Sequence, residues 1–352
     1  MQADYLIVGQ GICGTLLSWM LHREGKSVIV VDDEHGHSSS KLAAGIINPV
    51  TGRPYAHSWM IDELLPFALT TYRELEAQLH TQLIFTRSVI DFFPTVQARQ
   101  TFIKRMEERD TYLHAYPDQN HFNQDFNYEL GCGEIRPAYT VNLALLIADW
   151  RKQLIDAGAL VNEAFRVEEL ELIEEGVRYG SITAGKIIFC EGATGAKNPC
   201  FELLPFSPNK GEALVIECRD LRNDHIFKHG LLLAPLPVQD TFWVGANYTR
   251  EFADLEPTPA FYEQTTSILN RWLKRPYRVL IHKAAVRPAT VERRPFVGLH
   301  PTHPQIGILN GMGSKGTSLA PYFAHQLTRH LVHDGAITPQ ADVRRFTRML
   351  TK

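Results

Sequence analysis

Three glycines near the amino terminus, Gly9, Gly11 and Gly14, have the G-x-G-x-x-G spacing typical of a turn that binds a dinucleotide. In such a turn the first glycine permits a tight bend, the second lets the backbone approach a pyrophosphate, and the third allows close packing of helix on strand. Asp32 ends the next apolar run, where an acid accepts hydrogen bonds from a ribose and repels the extra phosphate of NADP. Asp33 is an alternative for that role. The pattern therefore predicts FAD or NAD as the ligand.

The segments around these glycines predict the elements that would position them. Residues 4–8 and 27–31 are short apolar runs, and residues 15–23 between them suit a helix that Gly25 ends. Strand, tight turn, helix and strand in this order form a βαβ unit. Further helices are predicted over 59–79, 142–157, 259–273 and 317–333, and strands at 161, 165–173, 186–190, 296–298 and 306–309, whereas 80–130 look irregular.

The composition restricts the class of protein. A chain of 352 residues, 44% hydrophobic and 21% charged, is ordinary for a folded protein of one large or two intertwined domains. A net charge of -3 gives no basic field for nucleic acid. Five scattered cysteines without a C-x-x-C motif favour a reduced, cytoplasmic setting over a disulfide framework or a zinc ribbon. No apolar run approaches the roughly 18 residues of a membrane span.

Three histidines on the predicted last helix, His325, His330 and His333, are the candidates for a metal site. No Cys or Asp completes a ligand set with them, and metal centres need three or four ligands. We therefore predict a solvated helix face here and no metal.

Three further segments resemble those that contact the flavin in the D-amino-acid oxidase family of FAD-dependent oxidoreductases, which includes D-amino-acid oxidase, glycine oxidase and sarcosine oxidase. Residues 40–49, SKLAAGIINP, are similar to the family's second flavin-contacting segment. Residues 186–193, KIIFCEGA, resemble its third segment, an apolar strand that ends in a Gly-Ala turn. Residues 310–321, NGMGSKGTSLAP, resemble its C-terminal flavin loop. The likeness extends over nearly the whole chain. The likeness is specific to the family in three segments, residues 4–49, 186–195 and 285–321.

The resemblance implies FAD as the cofactor. No His or Cys precedes the C-terminal loop in the pattern of covalent flavin attachment, so we expect FAD to be bound without a covalent link. The resemblance also implies an α/β fold (α+β overall), in which a Rossmann-like FAD-binding domain is interleaved with an antiparallel-sheet substrate domain. The expected FAD domain comprises residues 1–50, 135–205 and 290–352, and the substrate domain comprises 51–134 and 206–289. The residues expected to bind the cofactor are Gly9, Gly11, Ile12, Cys13, Gly14, Asp32, Asp33, Ser40, Lys41, Ala44, Gly45, Ile46, Val167, Glu191, Gly192, Ala193, Gly311, Met312, Gly313, Ser314, Lys315, Gly316, Thr317 and Ser318.

The resemblance also assigns residues to the substrate side. In relatives that oxidise amino acids, an Arg at the position of Arg287 holds the substrate carboxylate with a bidentate fork. Tyr248 is expected to line the pocket, and Asn48 and Arg53 are expected to border it. Lys315 and the N–H groups of its loop would stabilise the anionic reduced flavin.

Two departures from the family pattern bear on the substrate and on the electron acceptor. Glu292-Arg293-Arg294 stands where relatives usually have Asp-Gly. The two extra cations either favour a more acidic or bulkier substrate or face water. Met312 stands where relatives often have His, which leaves open whether oxygen is activated here.

The expected function is oxidation of a C–N bond of an amino acid or secondary amine, by hydride transfer to flavin N5. The expected partners are this small substrate and oxygen or another electron acceptor, without nucleic acid. One alternative is a flavin domain that trims a carboxymethyl group from a tRNA uridine, which the absent basic excess disfavours. A flavin-binding protein without turnover, and an NAD-dependent dehydrogenase that shares the first βαβ unit alone, are the others.

Overall fold

The computed structural model describes residues 1–34, 38–108 and 110–351. Its strands are, in chain order, β1 (Gln2–Val8), β2 (Val28–Val31), β3 (Ile46–Ile47), β4 (Val50–Thr51), β5 (Ala56–His57), β6 (Ile84–Phe92), β7 (Leu113–Ala115), β8 (Cys132–Val141), β9 (Leu160–Val161), β10 (Leu170–Ile173), β11 (Gly176–Tyr179), β12 (Ile182–Phe189), β13 (Asn209–Glu217), β14 (Ile226–Lys228), β15 (Leu232–Pro235), β16 (Thr241–Gly245), β17 (Arg278–Arg287), β18 (Phe296–Leu299) and β19 (Ile306–Asn310). Its helices are α1 (Ile12–Arg23), α2 (Ser39–Leu42), α3 (Ile61–Leu79), α4 (Val96–Glu107), α5 (Leu143–Asp156), α6 (Pro259–Trp272), α7 (Gly316–His333) and α8 (Thr347–Leu350), and 3₁₀ turns cover Val167–Glu169, Gly192–Lys197 and Val343–Phe346.

The chain forms two compact units, each built from separate stretches of sequence. The first unit comprises Met1–Lys41, Leu143–Asn209 and Val286–Lys352. The second unit comprises Leu42–Asn142 and Lys210–Ala285. Each unit has its own sheet and its own hydrophobic core.

A largely parallel sheet forms the centre of the first unit. Its strands lie in the order β10-β11-β12-β1-β2-β9, with β19 parallel to the second half of β12 and β18 antiparallel to β19. Isoleucine, valine and leucine dominate β1, β2 and β12, and these strands are mostly buried, as expected where both faces of a sheet are covered. α1 packs against α7 and is buried over nearly its whole length, which accounts for its apolar and small residues.

A mostly antiparallel sheet forms the centre of the second unit. Its order is β17-β13-β16-β15-β14-β6-β8-β3, with β7 beside β8, and β14 runs parallel to β6. Phe92, Phe122, Phe126, Phe227 and Trp272 are almost completely buried against this sheet. The rings of Phe126 and Trp272 stack with centroids 4.8 Å apart, and Phe92 meets Phe122 edge-on at 5.7 Å. This aromatic cluster joins β6, β14 and α6.

Two sequence predictions of local structure were wrong. Residues 80–130, predicted as irregular, contain β6, α4 and β7. The last five residues of β6 are all buried, so it shows no alternation, and α4 buries Phe102 alone among its residues, so it shows no apolar stripe. Residues 165–173, predicted as strand, include the 3₁₀ turn Val167–Glu169 before β10. The five predicted helices are present, with small shifts at their ends.

Replacing Phe126 with Ala is expected to lower the free energy of unfolding by about 3–5 kcal/mol, since a buried ring is lost and a cavity is left. The matched control is Tyr262→Ala on α6, whose side chain is 40% exposed and which should cost less than about 1 kcal/mol. Urea unfolding of both variants measures the difference. Equal losses in the two variants would show that the aromatic cluster contributes little to stability.

Candidate functional site

The carboxyl ends of four parallel strands lie at one edge of the first unit's sheet. The register pairs Val8 of β1 with Val31 of β2 and with Phe189 of β12, and it pairs Phe189 with Ile308 of β19. Ligands of open α/β sheets bind at such an edge. The glycine-rich turn follows β1, and other segments predicted to bind the cofactor follow β2, β12 and β19. The sheet therefore brings these segments together.

Gly9 and Gly14 are required by packing within the turn after β1. Gly9 has a φ of +93°, and a Cβ there would lie 2.7 Å from the carbonyl oxygen of Cys190. A Cβ at Gly14 would lie 1.9 Å from the carbonyl oxygen of Gly9. Side chains at either position would push β1, α1 and the end of β12 apart. These two glycines are therefore needed for folding, whether or not a ligand binds.

Gly11 differs, because the protein leaves room for a side chain there. Among the described residues, a Cβ at Gly11 would approach Ser40 Oγ alone, at 3.3 Å. α1 begins at Ile12, directly after Gly11, which has no side chain to cap the helix. The positive end of the helix dipole therefore faces a glycine-lined space, which fits the diphosphate of a dinucleotide. Cys13 packs in the first helical turn, where burial raises the pKa of its thiol to about 12.

Asp32, predicted to bind a ribose, is fixed by the protein on both carboxylate oxygens. Oδ2 accepts from the backbone N–H of Gln10 at 2.8 Å, and Oδ1 accepts from Arg151 Nη1 at 2.8 Å and from the backbone N–H of Glu34 at 2.9 Å. The Arg151 side chain is only 7% exposed and also donates to Gln10 Oε1 and to Asn162 Oδ1. Sequence reasoning missed Arg151; its one signal was a cation on the face of α5 that is otherwise apolar and buried.

Four other residues predicted to bind the cofactor, Asp33, Ser40, Lys41 and Val167, have fewer contacts than Asp32 in the structure. Asp33 is exposed at the end of β2, and the Lys41 ammonium lies 3.4 Å from Glu34. Ser40 Oγ accepts from the backbone N–H of Ile12 at 3.2 Å, so the predicted segment beginning at residue 40 contacts the glycine-rich turn. Val167 lies in its 3₁₀ turn, half-buried, and its expected contact with adenine stays a prediction.

The turn after β12 is tied to the loop after β19 by a residue that sequence reasoning missed. Asn310 is buried, donates from Nδ2 to the carbonyl oxygen of Gly192 at 2.9 Å, and accepts at Oδ1 from the backbone N–H of Gly311. Glu191 accepts at Oε2 from Asn198 Nδ2 at 2.7 Å, and burial raises the pKa of its carboxyl to about 7. Two predicted segments, with Gly192 and Ala193 in one and Gly311 in the other, thus share one hydrogen-bonded structure.

The loop before α7 packs on the segment that follows β17. Gly311 has a φ of +81°, and a Cβ there would lie 2.7 Å from Thr290 Cγ2. The backbone N–H of Gly313 donates to the carbonyl oxygen of Pro288 at 3.1 Å. α7 begins at Gly316, and its N-cap residue Lys315 makes no capping bond with its side chain. Of the other predicted residues here, Met312, Thr317 and Ser318 are buried, and Ser314 is exposed.

Positive charge gathers on these two packed segments. Burial, and then the neighbouring charges of Arg293 and Arg294, lower the pKa of Lys315 to about 8. Arg287, the last residue of β17, donates from Nη1 to the neutral amide oxygen Oδ1 of buried Asn209 at 2.9 Å. The first unit thus presents several cations at the segments predicted to contact the flavin and the substrate.

The remaining predicted residues belong to the second unit. Gly45 has a φ of +65°, and a Cβ there would lie 1.9 Å from the carbonyl oxygen of Val141, so packing on β8 alone requires this glycine. Ala44 is buried and Ile46 pairs with β8. The Asn48 Oδ1 accepts from the backbone N–H of Val50 at 3.1 Å. Arg53 is exposed in the turn between β4 and β5.

Tyr248 is 65% exposed, on a segment that is anchored by a buried acid. Glu212 is almost fully buried and accepts hydrogen bonds from Thr258, from Asn247 Nδ2 at 3.2 Å and from His282 Nε2 at 3.1 Å. Burial alone would raise the pKa of Glu212, but these hydrogen bonds together lower it below its usual value. Sequence reasoning missed this anchor, because its partners lie far apart in the chain.

Neither a metal centre nor a membrane span is found in the described part of the chain. Within residues 1–34, 38–108 and 110–351, no group of three or more His, Cys, Asp and Glu side chains is placed to hold a metal ion. His330 Nδ1 contacts the carbonyl oxygen of Gly335, and His333 Nε2 contacts Glu24. Over the same residues, no helix has both the length and the apolar character needed to cross a bilayer.

Comparison with known proteins decides the family. The family model described as FAD dependent oxidoreductase matches residues 4–330. The chain belongs to this family. Glycine oxidase from Geobacillus kaustophilus has a similar structure, with a TM-score of 0.80 and 17% identity over 96% of each chain. Iminodiacetate oxidase from Chelativorans sp. BNC1 gives a TM-score of 0.75 and 19% identity over 98% of each chain. L-Proline dehydrogenase from P. horikoshii gives 0.78 and 14%, over 99% of this chain and 98% of its own.

Membership of the FAD-dependent oxidoreductase family confirms the predicted resemblance, the α/β fold class and FAD as the cofactor. The room beside Gly11, at the amino-terminal end of α1, fits this cofactor independently of the comparison. The structural similarity at these low identities shows a shared fold and does not identify the substrate. The roles of individual site residues stay predictions.

Gly11→Val in this oxidoreductase is expected to yield colourless protein that is still folded, because the new side chain would fill the space for the diphosphate. Gly14→Ala is the contrasting variant and should fail to fold, because its Cβ would overlap the carbonyl oxygen of Gly9. Flavin absorbance and thermal unfolding measure the two effects. A fully flavinated Gly11→Val protein would place the diphosphate elsewhere.

Lys315→Met is expected to lower the flavin midpoint potential, because anionic reduced flavin would lose a nearby cation. A tenfold change in the reduction equilibrium corresponds to about 30 mV for two electrons. The wild-type advantage should shrink as the pH rises through about 8, since Lys315 then loses its charge. Reductive titration between pH 7 and 9 checks this, with exposed Lys197→Met as the control. Equal potentials in both variants would remove Lys315 from the flavin site.

Proposed function

We propose that this FAD-dependent oxidoreductase oxidises the C–N bond of a small amino acid or secondary amine that carries a carboxylate. The substrate loses a hydride from its α-carbon and a proton from its nitrogen, and water then hydrolyses the resulting imine. FAD, when bound, supplies the hydride acceptor at flavin N5. Oxygen or another electron acceptor would then take the electrons.

The observation that carries the proposal is the position of Arg287. It ends β17 immediately before the segment that packs on the loop preceding α7, through the Gly313–Pro288 hydrogen bond. Asn209 Oδ1 accepts from Nη1 and orients the guanidinium. A planar guanidinium of this kind matches a carboxylate with two parallel hydrogen bonds. Arg287 would therefore bind the substrate carboxylate, which orients the α-carbon for hydride loss.

The chain's own residues suit a reaction that needs alignment more than a protein base. A neutral amine loses its hydride without a proton acceptor of matched pKa, so orientation supplies most of the rate. Tyr248 would line the pocket, and Asn48 and Arg53 would border it. Glycine and iminodiacetate, the substrates named for two of the similar structures, both combine an amine nitrogen with carboxylate.

The cations Arg293, Arg294 and Lys315 favour a substrate with more than one acidic group. Arg294 is half-buried, and burial lowers its pKa. Arg345 lies 3.3 Å from Glu292, so the one acid of the Glu-Arg-Arg run is engaged in an ion pair. An amine with two carboxylates would meet this positive field better than glycine would. Anaerobic bleaching of the flavin by glycine and by iminodiacetate, at equal concentrations, compares the two classes.

Arg287→Ala is expected to reduce kcat/KM for the carboxylated substrate by roughly 30- to 1,000-fold, because a charge-assisted bidentate contact is lost. Arg287→Lys should lose nearly as much, since the charge remains but the fork does not. Arg278→Ala, exposed on the same strand and paired with Glu217, is the matched control and should change little.

The same variants assayed with the decarboxylated amine analogue separate binding from structure. Arg287→Ala should leave the slow rate with this analogue unchanged, and the flavin content of all three variants should stay that of the wild type. Equal slowing of the amine and of the carboxylated substrate would make Arg287 structural, and the amino-acid proposal would lose its main support. A panel in which no amine bleaches the flavin would contradict the proposed reaction.

A further inference from the structure

Arg151 is a buried cation that joins three segments of the first unit: the glycine-rich turn, the end of β2 and the end of β9. Its side chain lies on the buried face of α5. Nη1 donates to Asp32 Oδ1 at 2.8 Å and to Gln10 Oε1 at 3.0 Å, and Nη2 donates to Asn162 Oδ1 at 2.8 Å. A guanidinium has several N–H donors in one rigid plane, so it holds these separate acceptors in fixed relative positions.

The contact with Gln10 reaches the turn that is predicted to hold the diphosphate, because Gln10 stands between Gly9 and Gly11. Gln10 is buried, and its backbone N–H donates to Asp32 Oδ2 at 2.8 Å. Asp32 is therefore fixed to the turn twice, directly by this N–H and indirectly through Arg151. The adenosine ribose of FAD is bonded to the diphosphate. A diphosphate at Gly11 thus brings this ribose to the part of the edge where Asp32 is held.

The hydrogen bonds within the protein limit what the Asp32 carboxylate can accept from a ligand. A carboxylate accepts about four hydrogen bonds, shared equally between its oxygens. Oδ1 already accepts from Arg151 Nη1 and from the backbone N–H of Glu34, so its capacity is used. Among donors in the described part of the chain, Oδ2 accepts from the N–H of Gln10 alone. Oδ2 therefore has room for one further donor, and Oδ1 has none.

We propose that Arg151 is a positioning residue for the adenosine half of FAD. By occupying Oδ1, it makes Asp32 accept a hydrogen bond from one ribose hydroxyl, through Oδ2, instead of from both hydroxyls. The 2′- and 3′-hydroxyls then contribute unequally to the affinity for FAD. Without the guanidinium the carboxylate could turn about its last side-chain bond, a torsion that is loosely restricted in Asp, and meet both hydroxyls.

Titration of the apoprotein with FAD and with its 2′-deoxyadenosine and 3′-deoxyadenosine analogues tests the proposal, with flavin fluorescence as the readout and no turnover involved. One analogue loses a hydrogen bond to a charged group, so its Kd should exceed that of FAD by roughly 10- to 100-fold. The other should bind within about threefold of FAD, since its missing hydroxyl has no free acceptor on the carboxylate. Equal losses with both analogues, or no loss with either, would overturn the proposal. This comparison uses the wild type, so it does not depend on the folding of a variant.

Arg151→Lys tests the positioning role itself. Lysine keeps the positive charge, but its compact ammonium cannot hold Asp32, Gln10 and Asn162 in one plane. The ratio of the Kd values of the two analogues should fall from roughly tenfold or more in the wild type to within about threefold in the variant.

Arg275→Lys is the matched control, because Arg275 Nε donates to Asp125 Oδ1 at 2.7 Å in the second unit, away from the FAD-binding segments. It should keep the wild-type ratio. If Arg151→Lys weakens the binding of FAD and of both analogues by the same factor, Arg151 supports the fold alone and the proposal is wrong. Each of these failures would leave the proposed amine oxidation untouched, because that proposal depends on Arg287.

Discussion

Backbone hydrogen bonds hold Val31, Val8, Phe189 and Ile308 side by side at the ends of four parallel strands. A shift of one residue in any of these pairings would turn a buried face toward the wrong side and displace the turn that follows the strand. The turns come from positions far apart in the sequence, yet they contact one another. Gly9 packs on Cys190, and Asn310 bonds to Gly192. The cofactor-binding edge therefore depends on strand register before it depends on any side chain.

Charges of both signs lie along this edge, and each has a structural consequence. Asp32 and Arg151 form a buried pair at 2.8 Å, and removal of one partner would leave the other as an uncompensated charge in the interior. Such a pair contributes little net stability but fixes the carboxylate in one position. Lys315, on the loop before α7, instead has its pKa lowered by burial and then by the charges of Arg293 and Arg294 on the segment after β17. The Asp32–Arg151 pair holds a hydrogen-bond acceptor in one position, whereas the cations around Lys315 attract anions.

Patterns within short stretches of the sequence predicted those parts of this edge whose structure depends on neighbouring residues in the chain. The G-x-G-x-x-G turn, the buried strands β1 and β2, the second half of β12 and the helices α1, α3, α5, α6 and α7 have patterns that a short window of sequence contains. The roles of Arg151 and Asn310 could not be assigned in this way, because Arg151 bonds to Asp32 and Asn310 bonds to Gly192, both more than 100 residues away in the chain. Gly45 shows the converse: packing against Val141 requires it, so its match to a flavin-binding segment is not by itself a sign of flavin contact.

The two titrating groups at the edge change its charge in the same direction. Glu191 gains a negative charge above a pKa of about 7, and Lys315 loses a positive charge above a pKa of about 8. Both changes would oppose an anionic ligand held near them, so their effects on its affinity would have the same sign as the pH rises. Reduction of flavin to its anionic form introduces one more negative charge, which favours the protonated state of each group that is near enough to interact with it. Protonation of these groups, on the turns after β12 and after β19, would therefore be coupled to the binding and the reduction of a cofactor held near them.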